Sequence, residues 1–116
     1  MLCIDLQGTK PNLLIQGNSE NNYAVINIAI VNYGDTPATV SLYAVPNGKQ
    51  PPAYDSNGNL VSGNPETTLI KDKTIQAGDT LFLNLEKFLL HNGDALYAKK
   101  DTDANKVSVH VIYESY

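Results

Sequence analysis

Ten consecutive residues, Tyr23 to Asn32, alternate with a period of two: Ala24, Ile26, Ile28 and Ile30 share one parity, and Val25, Asn27, Ala29 and Val31 the other. β-Branched side chains at this density are stiff in a helix and pack well on a pleated surface, so the stretch reads as a strand. Both parities are largely apolar, which marks a strand covered on both faces and central in its sheet. Sustained helical periodicity is hard to find anywhere else in the chain, so strands must dominate the fold.

The same signature returns in shorter runs. Leu2, Ile4 and Leu6 alternate before Gly8 to Pro11 interrupts them, and Leu13-Leu14-Ile15 then resumes, giving one interrupted strand or two short ones. Ala38 to Val45 follows the turn residues Tyr33-Gly34-Asp35-Thr36-Pro37, with Ala38, Val40, Leu42 and Ala44 set inward and Thr39, Ser41 and Tyr43 outward. Glycine takes positive φ freely and proline cannot donate to a ladder, so a hairpin between Tyr23–Asn32 and Ala38–Val45 is expected. Thr67–Ile75, Thr80–Leu85, Ala95–Lys99 and Val107–Tyr113 complete the set. They are separated by Ala77-Gly78-Asp79, by Asn92-Gly93-Asp94 and by the polar run Lys100–Lys106, while Glu86 to His91 reads as a single helical turn. The last strand places Val107, Val109, Val111 and Tyr113 on one side. About seven or eight short strands, with turn signals every 8–12 residues or so, are the pattern of an all-β antiparallel sandwich, Ig-like or a jelly-roll Greek key.

One segment departs from the pattern. From Pro46 to Pro65 the chain holds four of its six prolines together with Asn47-Gly48 and Asn57-Gly58. Structureless loops of about twenty residues are uncommon in small domains, so residues 46–66 are expected to carry either a binding surface or a small hairpin. A type I′ turn at Asn57-Gly58, with both central residues at positive φ, would suit the hairpin.

With 116 residues the chain has the size of one domain, 1–116, built on one core. Hydrophobic residues make up 42% and charged residues 17%, too apolar for a disordered chain and sparing in surface charge, which suggests that partners cover part of the surface. The net charge is −4 and the Lys residues form no basic run, so nucleic acid is not an expected partner. No apolar stretch approaches the ~20 residues that span a bilayer, so no membrane partner is expected. Met1-Leu2-Cys3-Ile4-Asp5 lacks the charged and apolar regions of a signal peptide, which points to a chain made and used in a cytoplasm. Cys3 is the single cysteine and reads as a small buried hydrophobe.

The residues of common catalytic sites are scarce. His91 and His110 are the only histidines, and no serine sits in a Gly-x-Ser-x-Gly elbow. His91 falls in a turn beside Gly93, and His110 alternates with valines and points away from the core. Asp101-Thr102-Asp103-Ala104-Asn105 begins like a calcium loop, but Lys106 stands where glycine is needed and Ile112 where the bidentate glutamate belongs. Asp55, Asn57 and Asn59 have Glu66 at the twelfth position, yet Leu60 takes the glycine position. Both segments read as polar turns, and no cofactor or metal is expected. Tyrosine is the main aromatic, with seven residues and no tryptophan; it suits interfaces because it buries area and keeps a polar handle.

From Tyr23 onward the order of segments resembles the small β-sandwich virion proteins of tailed bacteriophages. The residues that carry the resemblance are Asn32-Tyr33-Gly34-Asp35, Ala38 to Gly48, Ile75-Gln76-Ala77-Gly78-Asp79-Thr80-Leu81, Asn92 to Ala98 and the valine strand. The resemblance implies a non-enzymatic structural role in a virion assembled in the host cytoplasm. Capsid decoration and a tail, baseplate or fibre role fit equally, with other virion proteins as partners and a homo-oligomer in the particle. Contacts are expected through Leu2, Ile4 and Leu6, on an N-terminal segment 1–16 able to pair with the edge of a neighbour's sheet, and through Tyr54, Leu60 and Val61 of the long loop. A carbohydrate- or cell-surface-binding module is the alternative reading, and a hydrolase or isomerase on a jelly-roll scaffold a distant third.

Overall fold

Alternating strands each carry an apolar row, and the chain buries these rows by closing two sheets on each other. The computed structural model describes all 116 residues apart from the side chains of residues 85–87. Its strands are β1 (Leu2–Asp5), β2 (Asn12–Gln16), β3 (Tyr23–Asn32), β4 (Ala38–Val45), β5 (Ala53–Tyr54), β6 (Leu60–Ser62), β7 (Thr68–Ile75), β8 (Thr80–Leu90), β9 (Ala95–Lys100) and β10 (Val107–Ser115). One antiparallel sheet runs β1-β10-β3-β8 and the other β2-β9-β4-β7, while β5 and β6 form a separate hairpin. All pairings within the two four-stranded sheets are antiparallel. This interleaved order is that of an eight-stranded jelly roll, two Greek keys wound together, and not of an Ig-like sandwich.

The core lies between the sheets. Val25, Ile28 and Ile30 of β3 and Val107, Val109 and Val111 of β10 meet Val40 and Leu42 of β4 and Leu96 and Ala98 of β9, all buried. Tyr23 and Tyr113 close one end of it edge to face, with ring centroids 5.3 Å apart. The shortest dimension, 21 Å, fits two sheets about 10 Å apart with one layer of side chains outside each.

Several expectations are corrected by the pairing. β3 and β4 do not form a hairpin, because β3 lies in the first sheet and β4 in the second, and Tyr33–Pro37 crosses between them. Gly8–Pro11 is a crossing of the same kind, so β1 and β2 are separate strands in different sheets. The N-terminal segment is not held out for a neighbour. Leu2 to Asp5 pair with Val111 to Ser108 of the same chain, and Leu6 donates its N–H to Val107 O at 2.9 Å.

The parity of β3 also breaks. Tyr113 pairs with Val25 and Ile112 with Asn27, so Ile26 is the extra residue of a β-bulge. Val25 therefore takes the inward place before it, while Ile28, Ile30 and Asn32 take it after. Phe88–Leu90 belong to β8 and pair with Val25–Tyr23, which corrects the helical turn at Glu86–His91; the side chains of residues 86 and 87 in that reading lie outside the described residues. The β5–β6 hairpin exists, but its turn spans Asp55 to Gly58, closed by Gly58 N–H to Asp55 O at 3.0 Å. Gly58 sits at φ +81, and Asn57 is not at positive φ, so the turn is not type I′. Asp55 Oδ1 supports it by accepting the N–H groups of Asn57 and Asn59, both at 2.9 Å.

The crossings gather at the two ends of the sandwich. At one end, buried Asn32 donates from Nδ2 to Thr36 O (2.8 Å) and Ile75 O (2.9 Å), and its Oδ1 accepts the Gly34 N–H (3.0 Å). Its backbone closes onto the β7–β8 turn, through Asn32 N–H to Asp79 O and Gly78 N–H to Asn32 O. Nearby, Lys100 is 5% exposed and donates from Nζ to Asp103 O (2.8 Å) and Asn105 O (2.6 Å). The loop that begins like a calcium site is thus organised around the chain's own ammonium group. Replacing Lys100 by Met removes two charge-assisted bonds and strands two carbonyls, so thermal or urea unfolding should show a loss of about 2–3 kcal/mol. An unchanged midpoint would refute this role. At the opposite end the β2–β3 and β8–β9 loops touch: Gly17 N–H meets Asp94 O, and a Cβ on Gly17 would fall 2.1 Å from His91 O, so only glycine allows that approach.

Candidate functional site

In a sandwich the inner faces make the core, so recognition falls to the outer faces, edges and loops. Cross-strand pairing places Cys3, His110, Ala29 and Phe82 in one row on the outer face of the β1-β10-β3-β8 sheet. The rows beside it hold Asp5, Ser108, Val31 and Thr80 on one side, and Ile112, Asn27 and Asn84 on the other. Beyond the Ile26 bulge the face continues through Glu114, Ala24 and Leu89, with Tyr116 at its margin. Phe82 is 77% exposed, Tyr116 58%, Leu89 49% and Ile112 44%. A shallow groove of about 290 Å³ runs past Phe82, Ala29 and Ile112.

Among the described residues the charged groups of these rows are two carboxylates, Asp5 and Glu114; Glu86 and Lys87, between Asn84 and Leu89 along β8, have side chains outside the described residues. A stripe of exposed apolar side chains on a twisted sheet is chemically suited to packing against another protein surface. Cys3 belongs to this face and is exposed, which corrects its reading as a buried hydrophobe: odd positions of β1 point outward, and even ones point to the core. Its Sγ lies 3.3 Å from Ser108 Oγ and 3.6 Å from His110 Nε2. No group of three or more metal-ligating side chains comes together among the described residues.

The residues singled out in the sequence take different places. Leu6 is buried, and Leu2 and Ile4 are half-buried against the core, so all three serve the chain's own sandwich instead of a neighbour's sheet. Leu60 (48% exposed) and Val61 (67%) lie on β6 of the excursion hairpin, away from the stripe. Tyr54 is half-buried on the outer side of the second sheet, with Lys71 Nζ 5.3 Å from its ring centroid. Ser41 and Tyr43 do point outward, yet both are buried, because the excursion covers that part of the sheet. Burial is the main cause that raises the Tyr43 phenol above its ordinary pKa, with a hydrogen bond from Ser41 working the other way.

Phe82, Ile112, Leu89 and Tyr116 were not among the expected contacts. Their signal was nonetheless in the sequence: Phe82 has the opposite parity to Leu81 and Leu83, and Ile112 the opposite parity to Val111 and Tyr113. Large apolar residues of both parities mark a strand with something to cover on each side. A scan against protein-family models found no match to this chain, and neither did searches of the curated proteins and of the solved structures.

Proposed function

We propose that this chain is a non-enzymatic structural subunit of a bacteriophage virion that packs on neighbouring protein subunits through the outer face of its β1-β10-β3-β8 sheet. The observation that carries the reading is the set of exposed large apolar side chains Phe82, Ile112, Leu89 and Tyr116 on that face. Its neighbour is a protein surface of matching apolar character, either the major shell or a tail subunit. The jelly-roll order supports the reading, since capsid proteins are among the users of this architecture, although fold alone assigns no function.

The test has two parts. Mass spectrometry of purified particles should find the chain in fixed copy number, and its absence would end the proposal. Phe82→Asp should then leave the unfolding midpoint within about 0.5 kcal/mol of the parent, because the ring is exposed in the free chain. Incorporation into particles should fall about 30-fold or more, the effect of losing an aromatic anchor at an interface centre. Normal incorporation of Phe82→Asp together with Ile112→Asp would show that this face is not the contact.

A further inference from the structure

The second sheet carries a different kind of surface. Where the β5–β6 excursion folds over β4, β7 and β9, it leaves a cleft of about 210 Å³. Ser41, Tyr43 and Lys99 form its floor, Tyr54 its wall, and Lys71 with Asp72 its rim. Consecutive residues of a regular strand point to opposite faces, so Lys71 and Asp72 could not both line one cleft without a distortion. The distortion is present: Asp72 lies at φ +52, the one non-glycine residue at positive φ among the described residues. There β7 sets two residues, Lys71 and Asp72, opposite the single Ser41 of β4. The Asp72 N–H meets Ser41 Oγ at 3.0 Å. Bulges of this kind re-aim side chains, and left-handed backbone in a non-glycine residue persists where surrounding structure holds it.

The bulge brings together complementary groups. Lys71 and Lys99 have no carboxylate within ion-pair distance among the described residues, where the ion pairs are Lys49–Glu66 and His91–Asp94. In a chain of net charge −4, two such ammonium groups at one cleft are a local attraction for an anion. Asp72 adds a carboxylate acceptor, which takes the buried Ser41 hydroxyl at 3.4 Å and has capacity left for a polyhydroxylated ligand, and the half-buried Tyr54 ring, with Lys71 Nζ 5.3 Å from its centroid, adds an apolar wall against which a C–H face can lie. The room suffices for one ring, not for an extended chain.

We propose that this cleft binds a single sugar residue bearing an anionic group, with Lys71 and Lys99 on the anion, Asp72 accepting from ring hydroxyls and Tyr54 stacking on the sugar face. The site is on the opposite sheet from the apolar stripe, so it stays accessible when the chain is docked. The test titrates the full chain with glucuronate, glucose 6-phosphate, glucose, acetate and inorganic phosphate, read by amide chemical shifts. One or both acidic sugars should give saturable shifts at Tyr54, Lys71, Asp72 and Lys99, about tenfold tighter than glucose, as expected for gaining one charge-assisted contact. The tighter of the two acids tells whether the anion is a carboxylate or a phosphate. Lys99→Met and Tyr54→Ala should each weaken that binding about tenfold, with the unfolded fraction checked by the dispersion of the same spectra. Glucose binding as tightly as the acids would overturn the proposal. So would acetate or phosphate matching the sugars, or the absence of saturable shifts at these four residues.

Discussion

Asn32→Leu should lower stability by about 3 kcal/mol or more, because it leaves three backbone groups without a partner at a buried corner. The side chain is 0% exposed and bonds Thr36 O, Ile75 O and the Gly34 N–H, so one amide ties the end of β3 to the crossing that follows it and to the end of β7. Leucine matches the volume but satisfies none of these groups. For a domain of this size the melting temperature should fall by roughly 10–20 °C, measured by calorimetry or circular dichroism. Asn32→Asp separates the donors from the shape. It keeps the acceptor for Gly34 but turns a carboxylate toward two carbonyl oxygens, which penalises its charged form in the folded state. Its folded-state pKa then lies above the unfolded value, so the folded state binds more protons and stability rises as pH falls through that interval. A variant that gained nothing on acidification, or an Asn32→Leu chain with the parent's midpoint, would show that the corner is held by other means.

Deleting Met1 to Gly8 should unfold the chain. Leu6 is buried and Leu2 and Ile4 are half-buried on the core, which by transfer bookkeeping is a loss of about 4–6 kcal/mol. A typical domain has only about 5–15 kcal/mol in total, and β10 would also lose its ladder on one side. Amide spectra of the truncated chain should collapse to the narrow dispersion of an unfolded polypeptide. A truncated chain that stays folded near the parent's midpoint would restore the view of β1 as an arm free to pair elsewhere.

Much of the strand content could be read from alternation alone. The limits of β3 and β4 fall where the pattern places them, because β-branched alternation and the Gly/Pro turn between them are local signals. What alternation cannot carry is which sheet a strand joins. The turn at Tyr33–Pro37 has hairpin residues, yet the side chain of Asn32 bends it across to the other layer, and that bond depends on Ile75, far along the sequence. Bulges at Ile26 and Asp72 escaped for the same reason: an extra residue shows only once the partner strand's register is known. The apolar stripe was half legible, in the opposite parity of Phe82 to Leu81 and Leu83 and of Ile112 to Val111 and Tyr113. The cleft was not legible at all, because it joins residues of four separate segments and rests on a backbone angle.

The interleaved strand order has a consequence for how the molecule comes into being. β10 lies between β1 and β3, so β1 has no partner within the sandwich until β10 is available. Within the sandwich only β4 and β7 are consecutive neighbours, and even they are parted by the excursion. Sheet formation therefore has to close long loops before it gains contacts, which places folding in the slow range of about milliseconds to seconds. In order of synthesis, β3 gains its first partner with β8 and its second with β10. The first sheet cannot be completed before β10, which pairs with both β1 and β3, is available.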